Sequence, residues 1–229
     1  MRDTYTSALI VGAGSGLSAS LARLFAHNGM SIALAARATE KLAALAQETK
    51  ASLHACDATE RAQVDELFAA LDPAPDVVVY NASYRTRGPF TELDPAEVAR
   101  AIDVSAFGGF LVAQAAAKRM LPKRRGAILF TGASASVKGY AQSASFAMGK
   151  FALRGLAQSL ARELSPQGIH VAHFVIDGGI ASARRPPSPD NPDALLDPDA
   201  IAQNYWHVLQ QPRSAWSWEI ELRPWVEKF

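Results

Sequence analysis

The chain is poor in cysteine, carries no excess charge of either sign and has no long apolar run. The lone Cys56 excludes an internal disulfide framework, and its place after an apolar stretch reads as a buried strand end rather than a nucleophile. Lys and Arg number 23 against 22 Asp and Glu, which leaves a formal net charge of +1 at pH 7. Such a balance offers no electrostatic footprint for nucleic acid or an anionic membrane. The basic stretch Lys118, Arg119, Lys123, Arg124 and Arg125 reads as a helix end and turn, where cations complement the helix dipole. No apolar run reaches the ~18 residues of a membrane span. No signal-type apolar segment follows Met1. A soluble, cytoplasmic protein is expected. The five histidines form no metal-binding pattern: His170 and His173 lie three apart on a strand and face opposite sides, while His27, His54 and His207 are isolated.

Apolar residues make up 49% of the 229, enough for one core, and no internal repeat or linker marks a second domain. Short apolar runs at residues 8–11, 31–35, 51–55, 76–80, 127–131, 171–176 and 218–222 read as strands. Helical patterns lie between them at 16–28, 39–49, 61–71, 95–120 (broken once), 143–165 and 199–210. Thr39 ahead of Lys41, Leu42 and Leu45 resembles a capped amphipathic start. The β-α-β-α rhythm predicts an α/β fold: one Rossmann-type, doubly wound, seven-stranded parallel sheet with helices on both faces, as a single domain over residues 1–229. Between Arg184 and Pro198 stand Pro186, Pro187, Pro189 and Pro192, with Asp190 and Asn191 among them and no apolar period. Residues 180–198 are read as a surface loop that shapes or covers a substrate site.

Chemistry enters at Gly12-Ala13-Gly14-Ser15-Gly16-Leu17-Ser18, between the first strand and the first helix. Glycines let the backbone turn sharply, and the helix N-terminus favours a phosphate. The spacing fits Gly-x-x-x-Gly-x-Gly with Ser18 in the last place. Gly12, Ser15, Gly16 and Leu17 are therefore dinucleotide-binding candidates. At the end of the second strand, where a carboxylate would bind the ribose hydroxyls of NAD, the chain has Ala36-Arg37. A guanidinium there suits the 2′-phosphate of NADP, which makes NADP the expected cofactor and NAD the alternative.

Together these features resemble the short-chain dehydrogenase/reductase family, over nearly the whole chain. The resemblance implies that Asp57 and Ala58, after the third strand, and Asn81 and Ala82, in Tyr80-Asn81-Ala82-Ser83, line the cofactor site. It places Lys150 as the active-site lysine that binds the nicotinamide ribose, and Gly178 and Ile180 beside the cofactor. It also implies a homodimer or homotetramer built on the two long helices and the last strand. The aromatic residues Trp216, Trp218, Trp225 and Phe229 suggest docking on a neighbour, over the site or on the parent subunit.

The departures from the family pattern gather at the proton-transfer chemistry. The Tyr-x-x-x-Lys tyrosine is Phe146, which packs like a tyrosine but has no hydroxyl. The family serine falls at Ala133, the asparagine of the central helix at Ser105, and Pro-Gly after the sixth strand becomes Asp177-Gly178. Substitute proton donors are Tyr140 and Ser134 on the loop after the fifth strand, and Lys150 itself if burial lowers its pKa. Tyr84 and Ser83 are further candidates, after the fourth strand at the C-terminal edge of the sheet, where ligands bind in this architecture. The resemblance implies an atypical NAD(P)-dependent oxidoreductase of a small carbonyl or alcohol; the alternative is a nucleotide-binding sensor or subunit partner without catalysis.

Overall fold

The computed structural model describes residues 4–227. The apolar runs become seven strands: β1 (Ser7–Val11), β2 (Ser31–Ala36), β3 (Ser52–Ala55), β4 (Val77–Tyr80), β5 (Gly126–Thr131), β6 (Ile169–Ile176) and β7 (Glu219–Leu222). Between them stand α1 (Leu17–His27), α2 (Ala43–Thr49), α3 (Arg61–Ala70), α4 (Pro95–Ile102), α5 (Gly108–Met120), α6 (Ala144–Leu164) and α7 (Pro198–Leu209). The strands form one parallel sheet in the order β3-β2-β1-β4-β5-β6-β7.

Strand side chains alternate between two cores, as a pleat of period two requires. Ala8, Ile10, Val77, Val79, Ala127 and Leu129 face α1, α2 and α7. Leu9, Val11, Val78, Tyr80, Ile128 and Phe130 face α3, α5 and α6. Both faces of the central strands are covered, so these strands are continuously apolar in sequence.

One local expectation changes. Thr39 makes no side-chain cap, because the segment opens with a 3₁₀ turn at Glu40–Leu42 and Thr39 is already helical, outside the geometry an N-cap needs. The pattern over residues 95–120 is interrupted once, as expected, but the chain stays helical through the interruption. Its two helices join through a π-turn at Asp103–Phe107, a one-residue widening that keeps the chain helical. Close approach accompanies that turn: a Cβ on Gly108 would strike Tyr80, and one on Gly149 of α6 would press on Ser105. The basic stretch ends α5 and turns at Arg124, whose φ is +48°, and Arg125 pairs with Asp76.

The tail is mostly accounted for within the chain. Trp216 stacks on His170 with ring centroids 4.5 Å apart, and Trp218 lies under the Arg154 guanidinium. Trp225 is 82% exposed, and its indole N–H donates to Asp193 in the proline-rich loop. Phe229 lies outside the described residues. The loop is pinned by a bridge between Ile180 and Leu196.

Candidate functional site

Strand order reverses between β1 and β4, and the loops leaving their C-terminal ends diverge to open a crevice. Gly12 turns the chain there with φ +79°, and a Cβ on it would overlap the backbone of Ala82. Only glycine meets both demands. The Gly12 and Ala13 amides donate to the Ala35 carbonyl at 2.9 and 3.0 Å, which ties the loop to β2. Above the turn the surface is open: Ser15 is exposed, and an added Cβ on Gly14 or Gly16 would meet nothing within 4 Å. Leu17 begins α1 with its side chain in the core, so only its backbone amide can serve a ligand. Ser18 is buried; its hydroxyl donates to the Gly12 carbonyl at 3.3 Å and accepts from the Asn81 amide at 2.7 Å. The serine in the last position of the glycine motif thus clamps the loop to the end of β4. Its position in the motif was visible in the sequence, but this partner was not.

One side of the crevice is a cleft of about 350 Å³ lined by Gly12, Arg37, Asp57, Ala58, Asn81 and Ala82. Burial works to raise the Asp57 pKa, but the Thr59 amide and hydroxyl, at 3.0 and 2.8 Å, and the Arg37 and Arg100 charges hold it below the usual carboxylate value. Ser83 lines this cleft as well. Tyr84 instead bonds to Glu97 under the Arg100 guanidinium, against α4.

A second cleft, of about 530 Å³, opens over the ends of β5 and β6 and is lined by Ser134, Tyr140, Phe146, Gly178 and Ile180 among others. Tyr140 is half exposed on its wall. Ser134 also bonds to the buried Asp177 carboxylate, which accepts from Lys138 at 2.8 Å; burial opposes ionisation of Asp177, and these partners outweigh it. One turn separates Phe146 from Lys150 on α6, and the ammonium sits 5.8 Å from the ring centroid. Lys150 is 3% exposed and donates to the Thr131 carbonyl at 2.8 Å. Burial without a carboxylate partner pulls its pKa down to about 8. It lines neither cleft, so of the three candidate proton donors only Tyr140 and Ser134 lie on a wall that a small molecule reaches. Ser105 is buried in the π-turn, and its hydroxyl has no hydrogen-bond partner among the described residues.

The sequence reading passed over three arginines. The Arg85 guanidinium lies over the Phe146 ring, 5.0 Å from its centroid, and Arg87 and Arg185 line the same cleft. The signal available was Arg85-x-Arg87 just beyond β4, at the sheet edge where ligands bind in doubly wound folds. Nothing in the sequence tied that pair to Arg185, a hundred positions away. A larger groove, of about 680 Å³, is lined by α1, α7 and the end of α2 and shares no residue with either cleft. Among the described residues no cluster of His, Cys, Asp or Glu could hold a metal ion, and no helix is long and apolar enough to cross a membrane.

The crevice fits a dinucleotide on its own geometry. An open glycine turn caps a helix N-terminus, the cleft beside it carries Arg37, and a separate cleft lies at Phe146. Comparison with known proteins agrees with that fit. A sequence model of short chain dehydrogenases matches residues 6–189. An uncharacterized oxidoreductase of Staphylococcus aureus strain N315 is 27% identical over 226 residues, covering 95% of this chain and 96% of that one. A short-chain dehydrogenase from Rhodopseudomonas palustris superposes with a TM-score of 0.83 at 33% identity, over 97% of this chain and 100% of that one. A metagenomic short-chain oxidoreductase in complex with NADP gives 0.82 at 28% identity, over 96% and 97% of the two chains.

Proposed function

Because the chain belongs to the short-chain dehydrogenase/reductase family, we propose that it is an oxidoreductase of a small carbonyl or alcohol compound that works with NADP(H) in preference to NAD(H). The observation that carries this reading is the pair of clefts over the C-terminal ends of the strands, one rimmed by Arg37 and the other walled by Phe146 and Tyr140. The relative crystallised with NADP supports the cofactor choice, as does the absence of a carboxylate where Ala36-Arg37 stands.

In this reading the Gly12, Ser15, Gly16 and Leu17 backbone holds the pyrophosphate at the N-terminus of α1. Arg37 takes the 2′-phosphate, while Asp57, Ala58, Asn81 and Ala82 line the adenosine. Gly178 and Ile180 border the nicotinamide. When bound, the nicotinamide supplies or accepts the hydride. Lys150, cationic below a pKa of about 8, lies behind Phe146 and raises the positive potential beneath the cofactor. Phe146 occupies the place of the family's tyrosine and excludes water from Lys150, and proton transfer falls to a hydroxyl on the cleft wall. Tyr140 is the first candidate and Ser134 the second.

The test is a panel of carbonyl compounds with NADPH and of alcohols with NADP. Turnover is expected, with Tyr140→Phe lowering kcat by about 10²–10⁴, the usual worth of a positioned general acid, and leaving NADPH affinity alone. A second reading, nucleotide binding without catalysis, draws on the lost hydroxyl of Phe146. It predicts an inert wild-type protein that binds NADPH and gains turnover on Phe146→Tyr.

The same reading includes self-association. Phe107 and Phe110 stack on one another and are exposed beside α6, where Met148 and Phe151 are also exposed. Four large apolar groups on packed neighbours suit a contact between copies. Light scattering is expected to give a dimer or tetramer, and Phe110→Glu with Phe151→Glu to shift it toward monomer.

A further inference from the structure

The second cleft has a charge pattern that the proposed reaction does not require. Three guanidiniums, from Arg85, Arg87 and Arg185, line it, and its lining contains no Asp or Glu. None of the three forms an ion pair with a carboxylate among the described residues. The nearby Asp177 is already committed to Lys138 and Arg223. The arginines also press on one another: the Arg85 pKa is lowered, first by partial burial and then by the Arg87 and Arg185 charges.

Two features build this cluster into the fold. The Phe146 ring supports the Arg85 guanidinium from one side at 5.0 Å, a cation–π contact that holds the fork in place without neutralising it. Gly179 lets Arg185 lie directly against the backbone; a Cβ there would strike its guanidinium. Arg85 comes from the loop after β4 and Arg185 from the loop after β6, so their meeting reflects the fold and not one stretch of sequence.

We infer that this cleft takes a substrate bearing an anionic group, a carboxylate or a phosphate, which Arg85, Arg87 and Arg185 bind beside the reacting carbon. Planar guanidiniums accept such groups with paired, charge-assisted hydrogen bonds. The inference also assigns Phe146 a positive role: it is the platform for Arg85. It rests on the second cleft being the substrate site of the proposed oxidoreductase. The same anion chemistry could be offered by the pyrophosphate of the dinucleotide, and the experiment separates the two.

Wild-type protein and the variants Arg85→Gln, Arg185→Gln and Arg87→Gln are first checked for folding by thermal melts. NADPH affinity is then titrated. Keto acids and their uncharged methyl esters are compared as substrates. Calorimetry with inorganic phosphate and with benzoate, against benzyl alcohol, is run on the NADP-loaded protein. The expected result is a kcat/KM for the acid at least about tenfold above that for its ester. Arg85→Gln and Arg185→Gln bring that ratio toward one, with NADPH affinity held within about twofold, as the loss of a charge-assisted contact predicts. If neither acid nor ester turns over but benzoate or phosphate binds and the variants weaken it tenfold, the anion site stands and the redox reading falls. Variants that weaken NADPH and leave the acid-to-ester ratio untouched would assign the arginines to the cofactor and overturn the inference. So would the absence of anion binding in the wild-type protein.

Discussion

At the scale of single residues, Lys150 shows how function is set against stability. An ammonium buried with the Thr131 carbonyl as its one hydrogen-bond partner among the described residues is an expensive group. Its pKa falls from 10.5 in the open chain to about 8 in the fold, which means that folding penalises the charged form. Below pH 8 the lysine is charged in both states and the penalty is complete, on the order of 3 kcal/mol. As pH rises from 8 toward 10.5 only the unfolded chain stays protonated, and stability returns. Lys150→Met should therefore stabilise the nucleotide-free protein at pH 7 by about 1–3 kcal/mol, with the gain shrinking above pH 8. Urea midpoints of the two proteins across that range measure it. Under the proposed function the same change weakens NADPH binding, and wild-type binding itself weakens as pH passes 8. Phe146 belongs to this scale too. Its missing hydroxyl is plain in the sequence, whereas its position between Lys150 and Arg85 is not, because Arg85 arrives from another loop.

At the scale of elements, β5, β6 and β7 hold a buried polar group that titrates in the acid range. His173 on β6 is fully buried, bonds through Nδ1 to Glu219 on β7 at 3.0 Å, and leaves Nε2 without a partner among the described residues. Burial pulls its pKa down to about 4, against a weaker upward pull from Glu219. The fold therefore holds His173 neutral, and its contribution to stability is complete above the ordinary pKa of 6.5. It is lost as pH falls from 6.5 to about 4, where only the unfolded chain takes up the proton. A loss of about 3 kcal/mol over that window is expected from this group. Denaturant midpoints should fall accordingly, and less steeply in His173→Gln. Of the strands in this region, β5 was legible as a short apolar run, whereas β6 carries two histidines and β7 alternates Glu with Ile and Leu. The π-turn at Asp103–Phe107 was not legible, since one extra residue in a helical run leaves the apolar period nearly intact. Thr39 misled for a related reason: a good capping residue marks a helix start only when its own backbone is extended.

At the scale of the whole molecule, the parallel sheet brings residues from six loops, those after β1 to β6, to its C-terminal edge, where they line the two clefts. The glycine turn and its place between β1 and α1 were readable in advance, because a glycine turn followed by a helix is a local pattern with a local cause. The makeup of the second cleft was not. Arg85, Arg87 and Arg185 acquire meaning only when the loops after β4 and β6 meet, and Lys150 proves to lie behind Phe146 and off the cleft surface. Ser18 falls between these cases, visible as an odd member of the glycine motif but explained only by its bond to Asn81.

The central claim is that this crevice holds a nicotinamide dinucleotide with a 2′-phosphate. Quenching of the four tryptophans on titration with NADPH and with NADH tests it most directly, with Arg37→Ala as the control. NADPH is expected to bind at least about tenfold more tightly than NADH, the worth of one charge-assisted phosphate contact, and Arg37→Ala to erase the difference. Failure of the folded protein to bind either dinucleotide would contradict the claim.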